Sequence, residues 1–169
     1  TLDPTLLRWS DQENAENWTP SATNQAGSLR LSRGTEIVAA SQARQEVLVF
    51  TDSSLYSLQY VGLPAVWAAT VVGENISIAS QNAVGYVNGV AYWMGKDKFY
   101  KYDGRTTSLK CDVRKYIFND FNTEQYTQVF SGTNESFHEV WWFYCSSNAT
   151  NIDRYVIYNY LEDIDIIFF

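Results

Sequence analysis

Short apolar runs alternate with polar turns along most of the chain. EVLVFT (46–51), GVAYWMG (89–95), FYKYDG (99–104), EVWWFYCSS (139–147) and RYVIYNY (154–160) are crowded with Val, Ile, Tyr, Phe and Trp. Such side chains suit a pleated sheet with at least one covered face. Turn-forming residues bound the runs at 51–54, 95–98, 103–104 and 148–151, the pattern of consecutive hairpins. Asn88-Gly89 between YV and VAYW predicts a two-residue hairpin turn, because both residues accept a positive φ. Only residues 112–122 carry a helical period, with Val113, Tyr116, Ile117 and Phe121 near one face. Segment 14–46 is rich in Asn, Ser, Gln and Ala and reads as loop, with one strand at 36–40.

The runs repeat. LLRWSD (6–11), VLVFTD (47–52), VAYWMG (90–95) and VWWFYC (140–145) align with an aromatic at the same place: Trp9, Phe50, Trp93 and Phe143, spaced 41, 43 and 50 residues apart. Each is followed by a turn and a second strand, at 17–20, 55–60, 99–104 and 155–160. Three are preceded by another strand, at 35–41, 82–88 and 126–132. A strand–turn–strand–turn–strand unit of this period matches the blade of a β-propeller, which covers its faces by stacking on its neighbours. That explains runs that are apolar on successive residues, such as VWWFY. A two-sheet sandwich also alternates strand and turn, and stays open on the residues alone. The expectation is one all-β, β-propeller-like domain over 1–169, with hairpin repeats at 6–20, 35–60, 82–104 and 126–160. Its outer repeats look incomplete, so the chain is expected to be a partial propeller cut from a longer one.

Charge and composition narrow the function classes. The net charge of −7 comes without a basic block, so a dedicated phosphate-binding surface is not expected. No apolar run approaches the ~20 residues of a membrane helix. Cys111 and Cys145 are too few for a disulfide framework; they read as two buried thiols, with a single disulfide between them left open.

Candidate chemistry is sparse. His138, the single histidine, stands at the start of a strand without a nucleophile elbow. No phosphate loop or dinucleotide fingerprint occurs. Asp11, Asp52, Asp97, Asp103 and Asp120 fall in turns, where aspartate caps its own backbone. Asp163 and Asp165 lie close in sequence but lack the regular ligand spacing of a calcium loop. Sequons occur at Asn17, Asn75, Asn134 and Asn148. RWSDQENAENWTP (8–20) shares Ser10, Asp11 and Trp18 with the Asp-box of sialidase-type propellers, but lacks its glycine. No catalytic residue, metal site or cofactor is expected. Trp9, Trp18 and Trp67, the last in a connection between repeats beside Pro64, are the candidate interface or ligand aromatics.

The RWSD…W stretch, VLVFTDSSLYSLQYVG (47–62) and YWMGKDKFYKYDG (92–104) followed by VRKYIF (113–118) resemble the β-propeller of tail hub, nozzle or DNA-stabilisation proteins of short-tailed bacteriophages. The resemblance spans residues 6–160; the ending DIDIIFF departs from the aromatic strand the family would place there. It implies a virion structural protein that acts by protein–protein contacts. Its partners would be further copies of itself in a ring, commonly six-fold, and neighbouring tail or adaptor proteins. Ejected DNA would pass along the channel without specific binding, and an acidic wall suits such passage. Two rival readings make other demands. A glycan- or receptor-binding propeller needs an exposed aromatic shelf with nearby amides and carboxylates. A sialidase-type enzyme needs paired carboxylates, or a Tyr–Glu pair with arginines, in one cleft.

Overall fold

A computed structural model describes residues 2–168, with side chains described as far as Asp163. The chain is all-β in class. Its strands form four antiparallel sheets, and none of them closes on itself. The first sheet has two strands, β1 (Leu6–Trp9) and β2 (Gly27–Arg30). The second is a four-stranded meander of β3 (Ile37–Gln42), β4 (Val47–Thr51), β5 (Ser54–Gly62) and β6 (Val66–Glu74). The third follows with β7 (Val84–Val87), β8 (Val90–Met94), β9 (Phe99–Tyr102) and β10 (Thr106–Ser108). A short helix α1 (Arg114–Asp120) leads to the fourth sheet: β11 (Phe130–Asn134), β12 (Glu139–Tyr144), β13 (Arg154–Asn159) and β14 (Ile164–Phe168). Among the described residues no helix is long and apolar enough to cross a membrane.

The strands form where the apolar runs predict them, and the turns behave as their residues require. Asn88 and Gly89 sit at φ 51° and 81° between β7 and β8, the paired positive values of a tight hairpin. The repeats, however, are longer than the sequence suggests. Each of the last three sheets carries a fourth strand, β6, β10 or β14, beyond the hairpin bounds that the runs predict. Residues 17–20 are not a strand; β1 pairs instead with β2, so the first hairpin runs from 6 to 30. Residues 123–128 form a 3₁₀ helix, and the strand expected at 126 starts at Phe130. Trp67 is not in a connection but on β6. DIDIIFF (163–169) does contain a strand, since the β14 backbone pairs with β13; the side chains of 164–169, including Asp165, lie outside the description.

The predicted helix is present but shorter, and its buried face differs from the predicted one. Ile117 and Phe121 are buried, whereas Tyr116 is exposed. Phe118 packs instead, 5.3 Å from Phe99.

The sheets pack in chain order. Between the first and second lie Leu31, Val49 and Tyr56, with Leu7, Leu58 and Val71 against them. Between the second and third, Phe50 and Trp93 meet in a T-shaped pair at 5.1 Å. Trp93 is fully buried, stacks on Tyr100 at 5.3 Å and donates its indole N–H to Ser77 O at 3.1 Å. Between the third and fourth, Trp142 meets Phe99 at 4.9 Å and donates to Ala83 O at 2.9 Å. Strands β4 and β8 are therefore buried on successive residues, because both of their sheets' faces are covered.

The closest approaches between sheets are made by their first strands: β7 runs beside both β3 and β11. Asn82 makes a parallel bridge to Phe130, and Ser131 N donates to Asn82 O at 2.8 Å. Farther out, β6 and β10 meet where Thr106 Oγ1 donates to Val72 O at 2.8 Å.

Candidate functional site

Two surfaces combine exposed aromatic rings with ordered geometry. The first is the outer face of the fourth sheet. Along β12 burial alternates: Val140, Trp142 and Tyr144 point to the third sheet, while Glu139, Trp141 and Phe143 point away. The register puts Phe130 opposite Phe143 and Tyr155 beside it. The rings form a ladder, with Phe130 on Phe143 at 4.6 Å, Phe143 to Trp141 at 6.0 Å and Trp141 on Tyr155 at 5.2 Å. Trp141 Nε1 donates to Glu139 Oε2 at 2.9 Å. Phe130 is 40% exposed, and Trp141, Phe143 and Tyr155 are partly exposed.

The second surface is a depression of about 370 Å³ where the β5–β6 hairpin passes the first sheet. Tyr60 and Trp67 form two walls, edge to face at 5.7 Å and 76°. Trp9 also lines it. Its Nε1 donates to Gln25 O at 2.7 Å, and its ring lies so close over Gly27 that a Cβ there would sit 2.6 Å from Cζ2. Gln25 Nε2 donates to Gln12 Oε1 at 2.9 Å, and the Tyr60 hydroxyl reaches Gln25 Oε1 at 3.5 Å. The structure thus joins Trp9 and Trp67 but leaves Trp18 apart. Trp18 is 44% exposed and donates to Ala15 O at 2.7 Å within its own loop. Tyr60, Gln12 and Gln25 complete the depression without any signal in the sequence that singles them out.

Carboxylates meet tyrosines in two further places. In a shallow hollow with Arg44, the Tyr102 hydroxyl donates to Glu46 Oε2 at 3.4 Å, and Ser57 Oγ donates to the same oxygen. Burial, reinforced by Glu46, pushes Tyr102 up to about 12. At the fourth sheet, Arg154 faces Asp120 at 3.5 Å and Asp153 at 3.6 Å. Burial, then the neighbouring Asp120 charge, pushes Tyr144 up to about 12. A nucleophilic tyrosine needs the opposite shift, so both phenols are held protonated.

Of the aspartates expected in turns, Asp11 and Asp52 fasten loops, whereas Asp120 is the last residue of α1 and faces Arg154 instead of capping a turn. Asp11 Oδ1 accepts from Gln12 N at 2.9 Å and Gln25 N at 2.8 Å. Asp52 accepts from Thr35 N and Oγ1, both at 2.7 Å. Burial acts to raise the Asp52 carboxyl, but the Thr35 hydrogen bonds outweigh it and hold it below its ordinary value. Asp97 and Asp103 lie 4.0 and 3.9 Å from Lys98 and Lys101. His138 occupies the left-handed position that ends a 3₁₀ turn, with its ring 5.6 Å from Tyr160. Asp163 accepts from the Tyr158 hydroxyl at 2.6 Å. No disulfide joins Cys111 to Cys145; Cys145 is buried, which pushes its thiol up, whereas Cys111 is only half-buried, contrary to the expectation for it. Among the described residues no group of three His, Cys, Asp or Glu side chains could hold a metal ion. No family model matches the chain, and no curated protein matches it.

Proposed function

We propose that this chain is a β-propeller module of a phage tail hub or nozzle, a virion structural protein that works through protein–protein contacts. The sheets stack in chain order with their first strands closest together, which supports a radial array with β3, β7 and β11 innermost. The observation that carries the role is the aromatic ladder of the fourth sheet. The second and third sheets each have a neighbour on both faces, whereas Phe130, Trp141, Phe143 and Tyr155 remain partly open. Clustered surface aromatics of this kind favour an interface. In this reading a further copy of the chain in a ring, commonly six-fold, covers them, and neighbouring tail proteins hold the ring in place. The net charge of −7 is compatible with a channel that lets DNA pass without gripping it.

The test is native mass spectrometry of isolated tails and of the protein carrying both Trp141→Ser and Phe143→Ser. The wild type is expected in a ring within the tail, and the double variant is expected to keep its far-ultraviolet circular dichroism but lose the ring. A wild type that stays monomeric and is missing from tails overturns the proposal, as does a double variant that assembles normally.

A further inference from the structure

The depression between the first sheet and the β5–β6 hairpin has no part in the proposed ring contact, and its chemistry is specific. Tyr60 is 57% exposed, though its sheet has a well-filled core on either side. Trp67 is partly exposed, and its indole N–H has no hydrogen-bond partner among the described residues. Two rings nearly at right angles offer one face and one edge. A pyranose can lay its C–H face on one ring while its hydroxyls turn outward to polar groups.

Those polar groups are present and ordered. A glutamine amide has two donors and two acceptor sites. The bond from Gln25 Nε2 to Gln12 Oε1 fixes both side chains and leaves the Gln12 amide nitrogen and a second Gln25 proton to donate. Ser10 adds a hydroxyl at the rim. The depression of about 370 Å³ suits one or two sugar units.

Charge sets the ligand class. No Asp, Glu, Lys or Arg lines the depression. The nearest acid in sequence, Asp11, is engaged by two backbone N–H groups, and Arg8 donates to Trp18 O at 3.0 Å. A phosphate or sialic acid carboxylate would find no cation there, so an uncharged ligand fits best.

The walls are also held in place. Trp67 N donates to Ala65 O at 2.8 Å across Val66, whose φ is +65°. That is the rare, strained form of γ-turn, here at a β-branched residue that ordinarily avoids positive φ. Strain of this sort gathers where a ligand contact must be presented rigidly.

We infer that Trp9, Gln12, Gln25, Tyr60 and Trp67 form a binding site for a neutral saccharide. The experiment titrates the full chain, labelled with nitrogen-15, with maltopentaose, mannopentaose, chitotetraose, lactose and sialyllactose. The readouts are tryptophan fluorescence and the indole N–H resonances. At least one neutral sugar is expected to bind with a Kd of about 1 mM or tighter and to move the Trp67 indole resonance. Trp67→Ala and Tyr60→Ala are each expected to weaken it by about tenfold or more, with sialyllactose binding no better than lactose. Tyr60 is exposed enough for its variant to keep the wild-type circular dichroism, so loss of binding there reports on the site and not on folding. The inference is overturned if no neutral sugar binds at up to about 10 mM, if binding survives both substitutions, or if sialyllactose is preferred.

Discussion

Adjacent tryptophans on β12 give opposite answers to the same truncation. Trp142 points inward, is 1% exposed and packs on Phe99 at 4.9 Å. A buried indole of this size removes roughly 150–250 Å² from water, worth about 4–6 kcal/mol at ~25 cal/mol per Å² as an upper bound. Its N–H bond to Ala83 O adds little to that loss, because Ala83 O also accepts from Met94 N at 3.3 Å and is not orphaned. Trp142→Ala is therefore expected to cost about 4 kcal/mol, mostly as lost packing and a residual cavity. Trp141 points outward onto Phe143 and Tyr155. Its removal leaves a dent that water fills, so Trp141→Ala is expected to cost only about 1–2 kcal/mol in the isolated chain. With a urea m-value of ~2 kcal/mol/M, the midpoint falls by about 2 M in the first variant and by less than about 1 M in the second. Urea titration followed by far-ultraviolet circular dichroism reads both. Equal losses would refute the reasoning, because Trp141 would then already be covered within one chain, and the ladder would no longer need a partner.

Three further outcomes are expected. Gly89 sits at φ 81° with nothing within 4 Å of an added Cβ, so Gly89→Ala is expected to cost about 1 kcal/mol through backbone strain alone; a denaturation midpoint equal to wild type would show that the turn tolerates the side chain. The phenols of Tyr102 and Tyr144, each pushed from 10.0 to about 12, bind their protons more tightly when folded than when unfolded. Their contribution is complete below pH 10 and is lost as pH rises toward 12, so thermal stability is expected to fall across that window. Glu46→Gln should move the Tyr102 titration part of the way back, since burial is the larger cause; an unchanged phenolate absorbance titration would contradict the Glu46 contact.

Strand positions were legible because they depend on local side chains. β4, β8, β9, β12 and β13 fall on the densest runs of β-branched and aromatic residues, and the Asn88-Gly89 turn needs only the φ freedom of those two residues. The edge strands were not legible. β6 carries Ala68, Ala69 and Thr70 where a central strand would carry bulk, and β10 is three residues long. β10 is a strand because β9 offers a ladder, which three residues alone do not report, whereas β6 does hold β-favouring Val66, Trp67, Val71 and Val72 around that weak centre. β2 carries no such local signal either, since GSLR becomes a strand only by pairing with LLRW.

The candidate sites divide along the same line. Trp9 and Trp67 were visible as unusual aromatics, yet only the approach of the β5–β6 hairpin to the first sheet brings them together with Gln12, Gln25 and Tyr60. Trp18 looked equivalent in sequence and is not part of the group.

The amino-acid order by itself determined that the chain is built of antiparallel hairpins, where many of them turn, and that apolar strands recur at a nearly constant interval. These follow from forces acting within a few residues: side-chain shape, allowed φ and hydrogen bonding across a turn. Tertiary structure alone decided which strands close each sheet, which face of β12 meets the third sheet and which stays open, and which distant side chains share a depression. Those outcomes rest on contacts between residues far apart in the chain, and alternation along one strand shows that a face is apolar without showing what will cover it.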